Sequence, residues 1–379
     1  MAASANDEAL REAIDRAIAQ AGVESQRGLI RRILTAGIGL GQDRTERINL
    51  KITAAAVEEM RMAFRLFAPY AGVPKATIFG SARTLPGDPL FASAEETARA
   101  LADDGWMVVT GAGPGIMEAA ATGAGPERSI GVSIRLPFEE EPSEPSLEAR
   151  RVAMKYFFTR KLMLVKESKA FVCMPGGFGT LDETFELFTL QQTGKMEPTP
   201  IVLLDRPGGT YWQGFRRFVA EQLEGGGFVT PGDLDRVLIT DSVDEAVAEI
   251  RAFWSNYHSM RWVPDRGGRG APATGGAAAS DIAGSAAPTA VAGSAAPGSP
   301  IDEDELVLRV RVAPTPEQLR ALDERFAGLL QRGGFELTDP LPAENGEYPG
   351  LPRVRFVPRR RAIGELHRLI RALNELPRA

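Results

Sequence analysis

Ten residues near the middle of the chain, Met174-Pro175-Gly176-Gly177-Phe178-Gly179-Thr180-Leu181-Asp182-Glu183, gather three glycines, a hydroxyl and a carboxylate in one turn. Missing side chains let backbone N–H groups approach an anion closely, and the start of a helix adds its positive end. The run follows an apolar stretch at 170–174 and opens a helical pattern from Thr180. Gly176, Gly177, Gly179 and Thr180 can therefore cradle a phosphate, while Glu183, one turn on, faces the same mouth. Thr180 and Glu183 also fit a capping box, in which the carboxylate returns to the cap backbone, although capping alone does not need the glycines. A second glycine-rich turn, Thr110-Gly111-Ala112-Gly113-Pro114-Gly115-Ile116-Met117, follows the apolar run 106–109. Its spacing is loosely that of a dinucleotide fingerprint, but Met117 stands where a further glycine belongs and no acidic residue closes a second strand. It reads either as an anion-binding turn or as a tight strand–helix turn without a ligand.

Both turns need strands to aim them and helices to follow. From Lys75 onward, short β-rich runs at 76–79, 107–110, 129–133, 170–174, 201–204 and 237–239 alternate with helical patterns at 92–104, 115–123, 159–166, 180–193, 211–223 and 243–254. Apolar strands separated by helices predict a parallel sheet covered on both faces. The expected fold is α/β, a doubly wound Rossmann-like parallel sheet, whose ligands lie beyond the carboxyl ends of the strands. Helical spacing at 9–21 and 52–67 predicts an N-terminal helical extension, with Met60, Phe64 and Phe67 as a packing stripe or a partner-binding face.

Gly, Ala, Pro and Ser dominate 267–300, which predicts a disordered linker. Glycine does not recur there every third residue, so a collagen-like tract is set aside. Beyond it, strands at 305–312, 335–337 and 354–357 and helices at 316–330, with Thr315 as N-cap, and 362–373 predict a small α+β module in βαββα order. That module reads as an assembly element or a regulatory one. The expected domains are 1–72, the helical extension; 73–262, the Rossmann-like domain; 263–303, the linker; and 304–379, the module.

Composition excludes several classes. The 379 residues carry 44 basic and 50 acidic side chains, a net charge of −6, which argues against a nucleic-acid or anionic-membrane surface. A single cysteine, Cys173, rules out an internal disulfide and a cysteine-based zinc site, and reads as an inert core thiol. With only His258 and His367, no histidine-rich metal site is expected, and His258 reads as a packed helix-end residue. No apolar run approaches the roughly 20 residues of a membrane span, and the first residues lack a signal peptide's pattern, so a cytoplasmic location is expected.

The string Pro175-Gly176-Gly177-Phe178-Gly179-Thr180-Leu181-Asp182-Glu183 resembles the P-G-G-x-G-T-x-x-E signature of the Lonely Guy (LOG) phosphoribohydrolases, long mislabelled as lysine decarboxylases. Phe158-Thr159-Arg160-Lys161 resembles the family's Arg-Lys pair, and Gly111 to Met117 and Phe79-Gly80-Ser81-Ala82-Arg83 resemble its phosphate-loop positions. The resemblance covers about half of the chain, 75–253. It lacks the three successive glycines common in the plant enzymes, and the helical extension and C-terminal module have no counterpart in the short plant type.

The resemblance implies hydrolysis of the N-glycosidic bond of a nucleoside 5′-monophosphate, either AMP or a cytokinin nucleotide, to free base and ribose 5-phosphate. Such a bond breaks through a cation-like sugar, so a carboxylate is needed near C1′. By resemblance Glu183 is that group and Arg160 the second catalytic residue, a permanent cation that stabilises the departing base or binds phosphate. Gly113, Gly115, Gly176, Gly177, Gly179 and Thr180 would bind the 5′-phosphate, with Ser81 nearby. Lys161 is a further phosphate ligand or a solvated helix-face lysine, and Arg83 a phosphate clamp or a surface ion-pair partner. The segment 136–147 is a substrate lid or a surface loop.

No metal or redox cofactor is implied. A lysine decarboxylase would need pyridoxal phosphate on a Schiff-base lysine, and nothing in the sequence marks one. The competing class is a carrier of a nucleotide or phosphate-bearing cofactor such as molybdopterin, using the same loops without cleavage. A homodimer or higher homo-oligomer is implied, with the helix around 180–193 as the contact.

Overall fold

The computed structural model describes residues 5–135, 150–230, 232–263 and 305–377. The segments read above as a lid, 136–147, and as a linker, 267–300, lie outside the described residues. The described chain falls into two units that meet within one helix, after Arg61.

The first unit is helical, with α1 (Ala5–Gln20), α2 (Arg27–Gln42) and most of α3 (Arg47–Phe67). Arg31 of α2 meets Asp15 of α1 at 2.6 Å. Helix α2 is absent from the sequence expectations because Gly37, Gly39 and Gly41 lie in it, and each glycine costs a helix about 1 kcal/mol.

The second unit is built on a seven-stranded parallel sheet. Its elements run β1 (Lys75–Phe79), α4 (Pro89–Asp103), β2 (Met107–Thr110), α5 (Ile116–Ala124), β3 (Ser129–Ile134), β4 (Arg151–Met154), α6 (Phe157–Lys166) and β5 (Ala170–Cys173). They continue with α7 (Phe178–Gln192), β6 (Ile201–Leu204), α8 (Tyr211–Phe218), β7 (Val237–Thr240) and α9 (Val243–Phe253). The strand order is β4-β3-β2-β1-β5-β6-β7. Every residue of β1, β2, β5 and β6 is buried, as strands covered on both faces must be. Ile78, Val108, Ile116, Val172, Leu204 and Ile250 share one core cluster. Strand β4 was not among the expected strands; its burial alternates, so it lacks the continuous apolar signal of the others.

The order of the strands places the site. From β1 the chain moves outward through β2 and β3 to β4, then returns to the other side of β1 as β5, with Phe79 beside Cys173. The winding reverses between β1 and β5, which opens a crevice at their carboxyl ends. Both the 79–83 segment and the Pro175–Gly179 turn leave the sheet there.

A second sheet, antiparallel, has the order β10-β11-β9-β8. Its strands are β8 (Tyr257–Val263), β9 (Glu305–Val310), β10 (Leu330–Thr338) and β11 (Arg353–Pro358), with α10 (Pro316–Arg325) and α11 (Leu366–Glu375). Thr315 and Gln318 form a capping box at the start of α10. The 257–263 strand runs across the boundary drawn at 262 and pairs with β9, so the module's sheet takes one strand from before the linker. His258 is therefore a strand residue rather than the helix-end histidine expected; its ring packs 4.4 Å from Tyr348.

Candidate functional site

Three loops meet at the crevice, and Ser81 ties them together. Its N–H donates to the Pro175 carbonyl at 3.1 Å, its carbonyl accepts from the Ile116 N–H at 3.1 Å, and its Oγ accepts from the Arg83 N–H at 3.1 Å. Such close backbone approach explains two glycines. A Cβ on Gly115, which has φ +72°, would collide with the Ser81 carbonyl, and one on Gly176 would collide with Thr180 Oγ1.

The two glycine-rich turns differ in what their missing side chains make room for. In the first, a Cβ on Gly111 would strike the Arg160 guanidinium and one on Gly113 would lie 2.7 Å from Met117 Cε. Gly111 thus seats Arg160. Ala112 takes a left-handed φ of 52° there, with its N–H on Thr110 Oγ1 at 3.1 Å. In the second, nothing lies within 4 Å of a Cβ on Gly177 or Gly179. The second turn keeps an open face.

Helix α7 begins at Phe178 with Gly177 as N-cap and no side-chain cap. By helix geometry the amides of its first turn have no intrahelical acceptor, so they stand as anion donors. This removes the capping-box alternative: Thr180 is inside the first turn, not at the cap, and Glu183 does not return to it. Thr180 is 6% exposed and Glu183 6%.

Glu183 is the unusual group. Its Oε1 lies 3.6 Å from Arg160 Nη1, and its Oε2 is buried without a hydrogen-bond partner. Burial pushes its carboxyl up to about 7, partly offset by the Arg160 and Lys161 charges. Arg160 is itself fixed, its Nε donating to the Val132 carbonyl at 2.9 Å, and burial lowers its pKa against the pull of Glu183. A half-paired carboxyl beside a guanidinium can hold hydroxyls, or take and return a proton near neutral pH.

The other expected residues fall as follows. Lys161 Nζ lies 2.9 Å from both Asp182 and Glu186, so it is bound to α7. Burial lowers its pKa, but those carboxylates more than offset it and leave it raised. Cys173 is buried, and burial pushes its thiol up to about 12. Arg83 is exposed.

Two residues were missed by the sequence reading. Tyr211 donates its hydroxyl to the Gly176 carbonyl at 2.7 Å, and Asp205, 5% exposed, accepts the Tyr211 N–H at 2.8 Å. They brace the second turn from β6 and α8. The available signal was Asp205 itself, an acid placed directly after an apolar strand and before Gly208-Gly209.

Among the described residues no group of three or more His, Cys, Asp and Glu side chains comes together as a metal site, and no helix is long and apolar enough to cross a membrane.

A family model described as "Possible lysine decarboxylase" matches residues 115–250. The cytokinin riboside 5′-monophosphate phosphoribohydrolase of Mycobacterium tuberculosis is 30% identical over 158 residues, 41% of this chain and 81% of the relative. That of Mycobacterium marinum is 30% identical over 152 residues, 39% and 78%. Among solved structures, the molybdenum cofactor binding protein of Rippkaea orientalis aligns with a TM-score of 0.34 and 19% identity, over 48% of this chain and 96% of its own.

Proposed function

This chain belongs to the Lonely Guy family of phosphoribohydrolases, and we propose that it hydrolyses the N-glycosidic bond of a nucleoside 5′-monophosphate, AMP or a cytokinin riboside monophosphate, to free base and ribose 5-phosphate. One observation carries the reading: a buried carboxyl, Glu183, with an unclaimed oxygen, one turn into a helix whose uncapped first-turn amides follow an open glycine turn.

The 5′-phosphate rests on those amides, among Gly176, Gly177, Gly179 and Thr180, with Ser81, Gly113 and Gly115 on the facing loops. Glu183 holds the ribose hydroxyls and orients water beside C1′. As the bond to the base lengthens, positive charge grows at C1′ and the carboxylate stabilises it. Water oxygen bonds to C1′, the base leaves with the glycosidic electron pair, and one water proton passes through Glu183 to the base. Arg160, cationic throughout, stabilises the negative charge that develops on the leaving base.

The activity belongs to residues 73–262, with the helical extension 1–72 and the module 304–379 outside it. A homodimer or higher homo-oligomer forms through α7; Phe178, 93% exposed, and Phe185, 40% exposed, on that helix support this contact. Light scattering of the purified chain measures the subunit number, and a monomer overturns this point.

The test is Glu183→Gln, with release of ribose 5-phosphate and free base measured from AMP and from a cytokinin riboside monophosphate. Turnover is expected to fall at least about 100-fold with nucleotide affinity retained. Unchanged turnover refutes the assignment. Intact nucleotide after long incubation with the unaltered chain, together with measurable affinity, would make it a carrier.

A further inference from the structure

Two successive peptide groups of the turn after β5 are held from opposite sides. The Pro175 carbonyl accepts the Ser81 N–H at 3.1 Å, from the loop after β1, and the Gly176 carbonyl accepts the Tyr211 hydroxyl at 2.7 Å, from the start of α8. Strand β5 lies between β1 and β6, and α8 follows β6. The C=O and N–H of a trans peptide point in opposite directions. With its carbonyl turned toward the β6 side, the Gly176–Gly177 peptide therefore turns its N–H toward the β1 side, into the crevice between β1 and β5.

We propose that Tyr211 is a positioning residue for phosphate binding: its hydroxyl fixes the Gly176–Gly177 peptide so that the Gly177 N–H faces the crevice and donates to a phosphate monoester. This rests on the phosphate reading given above, and Glu183 Oε2, buried and unpartnered one turn on, marks the same mouth as a place for a ligand.

The peptide needs a clamp because it lies between two glycines. Half a turn about its axis would carry Gly177 from φ −88° to the positive-φ side, which glycine enters freely and other residues rarely do. A peptide turned over in this way would aim a carbonyl oxygen at the anion in place of a donor. The Pro175 carbonyl is claimed by backbone, so the Tyr211 hydroxyl is the side-chain hold on this turn. That hydroxyl is itself well fixed. Asp205 accepts the N–H groups of Arg206 at 2.9 Å and Tyr211 at 2.8 Å, and the Tyr211 ring meets buried Trp212 edge-on at 4.8 Å. Burial raises the pKa of the phenol, so it stays a donor at neutral pH.

The experiment compares Tyr211→Phe with the unaltered full chain, measuring affinity for inorganic phosphate, AMP and adenosine, melting temperature, and turnover of AMP. The substitution keeps the ring on Trp212 and removes only the donor. Phosphate and AMP are expected to bind about fivefold more weakly, the worth of one hydrogen bond, with KM for AMP rising equally. Adenosine affinity and kcat should stay within about twofold, and the melting temperature should hold. A merely structural role would lower the melting temperature and kcat together and would not tell AMP from adenosine. Phosphate affinity equal in the two chains overturns the proposal, as does a loss shared by adenosine. An unaltered chain that binds no phosphate overturns the phosphate site and this proposal with it. One that binds phosphate but releases no base fails only as a hydrolase, and the affinities still decide the role of Tyr211.

Discussion

Two buried glutamates have opposite surroundings. Glu344, fully buried in the module, accepts from the Leu341 N–H at 2.8 Å, Arg309 Nε at 2.8 Å and Arg353 Nε at 3.1 Å. Burial pushes its carboxyl up, but the Leu341 amide and the two arginines more than offset that and leave it below the ordinary carboxylate range. Glu183 has one guanidinium at 3.6 Å and an unpartnered oxygen, and sits near 7. The module encloses its charge; the crevice leaves its charge incomplete. A carboxyl built only for stability would be surrounded as Glu344 is, so the incompleteness at Glu183 marks a place kept for something else.

The largest effects should separate these two residues in opposite directions. Glu183 has a folded-state pKa near 7 against an ordinary 4.5, so the folded chain holds its proton to higher pH. Its contribution to stability is present below pH 4.5 and is lost as pH rises through about 7. Glu183→Gln carries no such loss: above pH 7 it should be more stable than the unaltered chain, by up to about 3 kcal/mol, while nearly inactive. Glu344→Gln should instead cost about 3–5 kcal/mol, because Arg353 is left buried without an anion and Arg309 keeps only Glu347, at 2.9 Å. Denaturant unfolding at pH 8 measures both. A destabilised Glu183→Gln beside a neutral Glu344→Gln would reverse the comparison.

A third buried group is the His367 ring, beside the Thr199 backbone, and acid should find it first. Burial, with Arg371 and Arg236 adding to it, holds its pKa down to about 3. The folded state therefore refuses a proton that the unfolded state accepts. The stability tied to this group is full above pH 6.5 and declines as pH falls toward 3, by about 2 kcal/mol between pH 6.5 and 5. Glu344 contributes nothing to that window, since its carboxylate is lost only below the ordinary value of 4.5. Glu183 gains stability as pH falls through the same window, and His258, held down to about 4 by burial, loses it. His367→Phe should therefore remove only the His367 share, read as a difference in unfolding free energy between variant and unaltered chain that changes by about 2 kcal/mol between pH 6.5 and 5. A difference that stays constant across that window would remove His367 as a source.

How much of this was legible in the sequence follows from how local each feature is. The strands β1, β2, β5 and β6 are short, mostly apolar and bounded by turns, so composition marks them, and the Pro175–Gly179 turn with Glu183 is a contiguous string. Partners brought from afar were not legible. The half-exposed β8 is defined by pairing with Glu305–Val310, which follows more than forty residues later. Arg160's seat on Gly111 joins α6 to the loop after β2, and no spacing along the chain announces it. The start of α7 at Phe178 was missed because a glycine N-cap carries no side-chain signal.

The smallest effect sharpens the comparison most, because it asks what keeps Glu183 from a still higher pKa. Lys161 lowers it from outside the pair with Arg160, while Asp182 and Glu186, both held by Lys161, raise it. Lys161→Gln removes the cation and leaves two acids beside Glu183. If the ionised carboxylate is the active form, the acid limb of kcat against pH should move upward by less than about one pH unit. KM for AMP should change less than about twofold, because an amine already shared by two carboxylates is poorly placed to take a phosphate. A tenfold rise in KM with an unmoved acid limb would make Lys161 a phosphate ligand, and would place on the substrate a charge here assigned to the tuning of Glu183.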